Sequence, residues 1–175
     1  KTIGAEAFYS CSSLESINVP EGLTRIEDRT FYQCTKLASF AFPSTLKYIG
    51  SQAFMECRAL ETVTLNEGLT QMRSEAFEKC AALQTLSLPS TLEVIPWYAF
   101  YDCPKLQNIQ WAEGVKTIGQ CAFYKAKPGI LRLPDSLEEI QSRAFYLADI
   151  SSVVFGSNLK KIGVSAFSAK GDKYT

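Results

Sequence analysis

Five of the six cysteines, Cys11, Cys34, Cys57, Cys80 and Cys103, recur at a constant spacing of 23 residues. A thiol can bind metal, act as a nucleophile or form a bridge, and the spacing bears on all three. Metal sites draw on closely spaced pairs such as Cys-x-x-Cys, which are missing here. Thiol nucleophiles are commonly activated by histidine, and the chain has 0 His. Bridges need converging Cβ vectors, whereas equivalent positions of a repeat point their side chains the same way. These five therefore read as small buried apolar residues. Cys121 stands outside the column. Its equivalents are Glu6, Arg29, Gln52, Glu75, Tyr98, Arg143 and Ser165, a polar and outward-facing set. It is expected to be exposed, either as a candidate intermolecular thiol or as an incidental surface cysteine.

Other reactive chemistry is sparse. Without histidine there is no His-based triad and no common catalytic zinc site. The glycines show no nucleotide-binding spacing, and the aspartates fall in different columns with no calcium-loop pattern. Glu138-Glu139 lies in the exposed part of a repeat and reads as a solvated face. No enzyme, metal or cofactor is expected. Binding chemistry is better represented. Trp97 and Tyr98 are large aromatics in columns otherwise small or polar, such as Ala5, Asp28, Ser51, Ser74 and Gln120 for the tryptophan. With Tyr101 and Tyr124 nearby, they form a candidate interaction patch. The other candidate is a ladder of hydrogen-bonding groups, Thr62, Thr64, Thr85, Ser87, Asn108 and Gln110. It serves a partner, or it simply reflects the residues that suit an exposed strand. At the next step of that ladder stand Ile130 and Arg132, the one marked change along it.

What positions these residues is an internal repeat. Phe recurs at Phe8, Phe31, Phe54, Phe77, Phe100, Phe123, Phe145 and Phe167, at a spacing of 23 and then 22 residues. Each unit reads I-G-x-x-A-F-x-x-C-x-x-L-x-x-I-x-L-P. The segments Ile17-Asn18-Val19, Val63-Thr64-Leu65 and Leu86-Ser87-Leu88 alternate at period two, as half-buried strands do. Strands repeated at one spacing run the same way and make a parallel sheet, ended by Pro20, Pro43, Pro89 and Pro134. The x-x-A-F-x-x-C stretch has room for one helical or 3-10 turn. The expected fold is an α/β solenoid, a curved right-handed superhelix with the sheet concave and short helical turns opposite. Its seven units are residues 3–25, 26–48, 49–71, 72–94, 95–117, 118–139 and 140–161, with a partial eighth at 162–175. Lys1-Thr2-Ile3-Gly4 repeats as Lys116-Thr117-Ile118-Gly119, so the chain reads as a piece of a longer array. From Phe123 to Leu131 and from Phe145 to Val153 the units are one residue short of the Phe100-to-Ile109 distance.

Lys+Arg and Asp+Glu both number 18, so no global field draws the chain to nucleic acid or anionic membrane. No apolar run approaches the ~18 residues that span a bilayer.

The A-F-x-x-C…L-x-x-I-x-L-P…L-x-x-I-G pattern, sustained from Ile3 to Phe167, resembles the BspA-type leucine-rich repeats of bacterial and some protist surface proteins. The resemblance implies an extracellular or cell-surface location. It also implies non-enzymatic adhesion, with a host matrix or cell-surface protein as partner. A spacer without its own ligand and a glycan-binding domain are the alternatives.

Overall fold

The computed structural model describes residues 1–169. The polar ending of the expected eighth unit, from 170 on, lies outside them. The phenylalanine column forms the spine. Successive rings from Phe8 to Phe167 stack with centroids between 5.1 and 5.4 Å apart. The six inner rings are fully buried, together with the Ile and Leu columns, in one continuous core. Each fully buried ring contributes about 1.5–3 kcal/mol, and only a neighbouring turn of the coil can bury it.

The strands are short and fall in two series, the second of them present only from the third turn on. One series precedes the phenylalanine: β1 (Thr2–Ile3), β2 (Arg25–Ile26), β3 (Tyr48–Ile49), β5 (Gln71–Met72), β7 (Val94–Ile95), β9 (Thr117–Ile118), β11 (Glu139–Ile140) and β13 (Lys161–Ile162). The other follows it: β4 (Thr62–Thr64), β6 (Thr85–Ser87), β8 (Asn108–Gln110), β10 (Gly129–Arg132) and β12 (Ile150–Val154). All bonded neighbours are parallel. The first series was not expected as strand, because two residues are too few to show a period. It divides between β5 and β7 at Pro96. In the flanking turns Arg73 N–H donates to Ile49 O at 2.9 Å and Gly119 N–H to Ile95 O at 2.8 Å. Pro96, which occupies the same position, has no N–H to give.

Two expectations are corrected. The second series is not one seven-rung sheet: residues 17–19 and 40–42 form no ladder, and β4-β6-β8 is separate from β10-β12. Nor is there a helix among the described residues. The stretch around each phenylalanine is a chain of overlapping turns, with positive φ two residues before and two after the ring, as at Gln52 (56°) and Glu56 (61°). Left-handed residues interrupt any run of helical φ/ψ. The N–H groups bond across rungs instead, as in Phe31 to Ala53 O at 2.8 Å and Gln33 to Met55 O at 2.8 Å.

A second pattern has a period of two rungs. Through the sixth rung the equivalent turns alternate between Glu-Gly (Glu21-Gly22, Glu67-Gly68, Glu113-Gly114) and Ser-Thr or Asp-Ser (Ser44-Thr45, Ser90-Thr91, Asp135-Ser136), and the seventh, Ser157-Asn158, departs from the pattern. Each Glu carboxylate accepts from the next rung: Ser44 Oγ at 3.0 Å, Ser90 N at 3.0 Å, and Ser136 N at 2.9 Å. Each glycine N–H donates to the hydroxyl that follows, Thr45, Thr91 or Ser136. On its other side Gly114, at φ 134°, lies so close to Ser90 that an added Cβ would sit 2.0 Å from that carbonyl oxygen.

Candidate binding surfaces

The strand ladder assembles six of the expected site residues into a grid. Thr62, Thr85 and Asn108 stand side by side, as do Thr64, Ser87 and Gln110, on the outward positions of β4, β6 and β8. Their inward neighbours Val63 and Leu86 are fully buried and Ile109 partly so. No charged side chain enters this grid, so it offers neutral donors and acceptors.

The grid ends at an opening. No Cα of β8 lies within 8 Å of any Cα of β10, against about 4.8 Å for bonded strands. The rungs themselves stay joined on either side of the gap. Lys127 N–H reaches Leu106 O at 2.7 Å at one end, and Gly114 N–H reaches Ser136 Oγ at 2.8 Å at the other. The turn arc is also closed, with Phe100 N–H on Ala122 O at 2.9 Å. The cause is length. The sixth rung lacks one residue between its ring and its strand, so no leucine matches Leu106. Pro128 and Gly129 (φ 61°) stand there instead, and β10 pairs with the strand of the equally short seventh rung. The resulting groove of about 500 Å³ is lined by Asn108, Gln110, Trp111, Pro128, Ile130 and Arg132 among others. Shortened spacing and the Ile130/Arg132 change were visible in the sequence. Trp111, which meets the Phe123 ring edge-on at 5.5 Å, was not singled out, because a large apolar residue is ordinary in its column.

The aromatic candidates divide. Trp97 is 57% exposed, and its indole N–H donates to Gln141 Oε1 at 3.0 Å, two rungs away. Gln120 N–H shares that oxygen at 3.2 Å. The tyrosines are half-buried: Tyr98 lies tilted against Tyr101 of its own rung at 5.3 Å, while Tyr101 stacks on Tyr124 at 4.4 Å and Tyr124 on Tyr146 at 5.9 Å along the coil. Burial, with Tyr124 close by, pushes the Tyr101 phenol up to about 12. So the tyrosines chiefly pack rung on rung, and Trp97 is the large exposed ring.

Cys121 is a correction. It is 6% exposed, not outward-facing. Its column has positive φ throughout (54° here), which accounts for the Glu, Arg, Gln and Ser found there without requiring that every member face water. Its thiol lies against the Tyr98 side chain. Burial raises its pKa, with Tyr98 and Arg143 pulling partly the other way. Among the five column cysteines, Cys34, Cys57, Cys80 and Cys103 are buried. Their thiols donate to the ring-bearing residue of the preceding rung: Phe8, Phe31, Phe54 and Phe77 O at 3.1 to 3.3 Å. Cys11 is exposed, contrary to the expectation of burial. Glu138 and Glu139 pair with Lys160 and Lys161, each at 2.7 Å, on the solvated face. Among the described residues no group of three or more His, Cys, Asp or Glu could hold a metal ion.

Comparison with known proteins places the chain. A profile of the BspA type leucine rich repeat region, in 6 copies, matches residues 1–129 and 93–172. A leucine-rich repeat protein from Bacteroides ovatus is 25% identical, with a TM-score of 0.70 over 93% of this chain and 48% of its own. The T. pallidum leucine rich repeat protein is 30% identical, with a TM-score of 0.67 over 71% of this chain and 58% of its own. A leucine rich cell surface protein from Faecalibacterium prausnitzii is 27% identical, with a TM-score of 0.53 over 95% of this chain and 33% of its own. The chain thus spans about half or less than two thirds of each of these structures. No curated protein matches it.

Proposed function

Because the chain belongs to the BspA-type leucine-rich-repeat family, we propose that it is a non-enzymatic binding module on a cell surface or in the extracellular space. Its partner on this reading is a host matrix protein or a protein of a neighbouring cell. Leucine-rich repeats generally serve as protein-interaction modules, and no helix among the described residues is long and apolar enough to cross a membrane. The surface location draws on the family resemblance and on the Faecalibacterium neighbour's name. The observation that carries a binding role is Trp97. A tryptophan left 57% exposed, its indole held by Gln141, is the kind of rigid aromatic anchor that centres protein interfaces. On this reading the half-buried Tyr98, Tyr101 and Tyr124 belong to the same surface. The ring spacing of 5.1 to 5.4 Å on the turn side exceeds the ~4.8 Å of bonded strands. That difference favours a coil bent toward its second-strand face, which on this reading is right-handed and made of seven units and a partial eighth.

Wild-type chain and Trp97→Ala are to be compared on immobilised extracellular-matrix proteins and on a glycan array. Loss of about tenfold or more in protein binding is expected for the variant. Binding confined to glycans replaces the protein partner with a sugar. A wild-type chain silent in both screens returns the domain to a spacer.

A further inference from the structure

We propose that the opening between β8 and β10 is a receptor slot for one extended peptide segment carrying an acidic side chain. That segment would bind by adding a short strand to the divided sheet. Three independent observations converge on that occupant.

The first is backbone chemistry. Leu88 N–H bonds Gln110 O at 3.0 Å, so the peptide groups of Gln110 and Asn108 face back toward β6. Strand groups alternate sides, which turns those of Ile109 and Trp111 toward the gap. On the opposite wall Leu133 N–H bonds Val154 O at 2.9 Å, facing β12, so Ile130 and Arg132 turn theirs toward the gap. No backbone hydrogen bond joins these two walls among the described residues. Unpaired strand edges are templates for a further strand.

The second is width. The walls stand more than 8 Å apart, and one inserted strand requires about twice the ~4.8 Å spacing of a bonded pair. Because the rungs are pinned at Lys127–Leu106 and Gly114–Ser136, the gap is a short slot and not a frayed end. It accepts a stretch of a few residues that enters and leaves from the solvent side.

The third is lining. Asn108 and Gln110 flank the slot with amides that can both donate and accept. Ile130, 57% exposed, and Trp111 offer apolar contact to alternate side chains of a strand. Arg132 is the only cation in the lining and has no ion-pair partner among the described residues. It selects a carboxylate.

This site rests on reading the chain as a protein-binding module, and the test separates the two. The probe is the peptide acetyl-Thr-Val-Asp-Val-Thr-amide, titrated against the full chain by fluorescence of the tryptophans and by amide exchange. Saturable binding is expected, with slowed exchange at Ile109 and Trp111. Replacing the peptide aspartate by lysine should weaken binding about tenfold or more, and Arg132→Glu should reverse that preference. N-methylation of both valines removes the donors along one edge of the peptide strand, leaving one wall of the slot unpaired, and should abolish binding. A second variant, with one leucine inserted between Pro128 and Gly129, restores the full rung length. It should dock β10 onto β8, raise the thermal midpoint and lose the peptide. Undiminished binding of the N-methylated peptide, or binding by the inserted variant equal to wild type, overturns the slot. Absence of binding by the aspartate peptide overturns it too. If the aspartate peptide fails to bind while matrix-protein binding is present and falls with Trp97→Ala, the module reading stands and the slot alone is overturned.

Discussion

At the scale of single residues, the cysteine column shows how a side chain that looks reactive becomes structural. Desolvation holds the Cys34 thiol up at about 11 and that of Cys103 at about 12, with Cys57 and Cys80 also raised. A buried, protonated thiol is a poor nucleophile, so its use here is as a donor to the neighbouring carbonyl. Titration of the native chain with a disulfide reagent should show one fast thiol, Cys11. Cys34, Cys57, Cys80 and Cys103 should report only on unfolding, and fast labelling of all five would contradict the packing. A second residue-scale test concerns Glu78, 8% exposed in a column of tyrosines and methionine. Burial raises its pKa above 4.5, and Lys79 at 3.2 Å offsets only part of that. The folded state then holds this proton more tightly than the unfolded one. Its contribution is present at acid pH and lost as pH rises past the ordinary carboxylate range. Glu78→Met is expected to stabilise by about 1 kcal/mol at neutral pH. The gain should shrink as pH falls toward 4.5 in denaturant titrations. Glu67 has the opposite sign: hydrogen bonds from Ser90 lower its pKa, so its contribution fades as pH falls.

At the scale of elements, the turn around each phenylalanine was the part least legible in the sequence. Its length admitted a helical turn, and its polar columns read as outward-facing. Both readings missed that the polar residues sit at positive φ, where Gln, Glu, Arg and Ser occur but β-branched residues do not. That single property also explains why Cys121 could be buried among polar equivalents. Gln52→Val should lower stability by about 1–2 kcal/mol, whereas Gln52→Asn should cost far less. Equal losses in both, measured by chemical denaturation, would argue against a conformational cause. The strand series were legible where three-residue alternation existed, as at Thr62–Thr64, and invisible where strands have two residues, as at Tyr48–Ile49.

For the whole molecule, the columns of Phe, Ile and Leu announced the solenoid, because a core built by translation repeats its residue types. Breaks in that translation were legible only as symptoms. The missing residue before Leu131 and the odd pair Ile130/Arg132 could be seen, but a one-dimensional pattern does not say that two strands part while their rungs stay pinned. Pro96 was similarly plain as a residue and silent as a break between β5 and β7. The column marks Trp97 as an outlier without saying whether its indole is exposed, and nothing in it points to the Gln141 partner 44 residues on.

The alternation of Glu-Gly and Ser-Thr turns has a consequence for how such an array can grow or shrink. Its translational unit is a pair of rungs, so like-numbered rungs are interchangeable and adjacent ones are not. Deleting residues 49–71 sets the Ser44-Thr45 turn against Ser90-Thr91, stripping Ser90 of its Glu67 acceptor and Thr91 of the Gly68 N–H, at about 1 kcal/mol for each bond lost. Deleting residues 49–94 removes twice as much core yet sets Glu113-Gly114 beside Ser44, restoring the parity. The longer deletion should therefore unfold cooperatively at the higher temperature of the two. The reverse order in calorimetry would mean that the rungs carry no parity. If it holds, length change in this fold is quantised in doublets, and an odd insertion is a lesion even when every core column is kept.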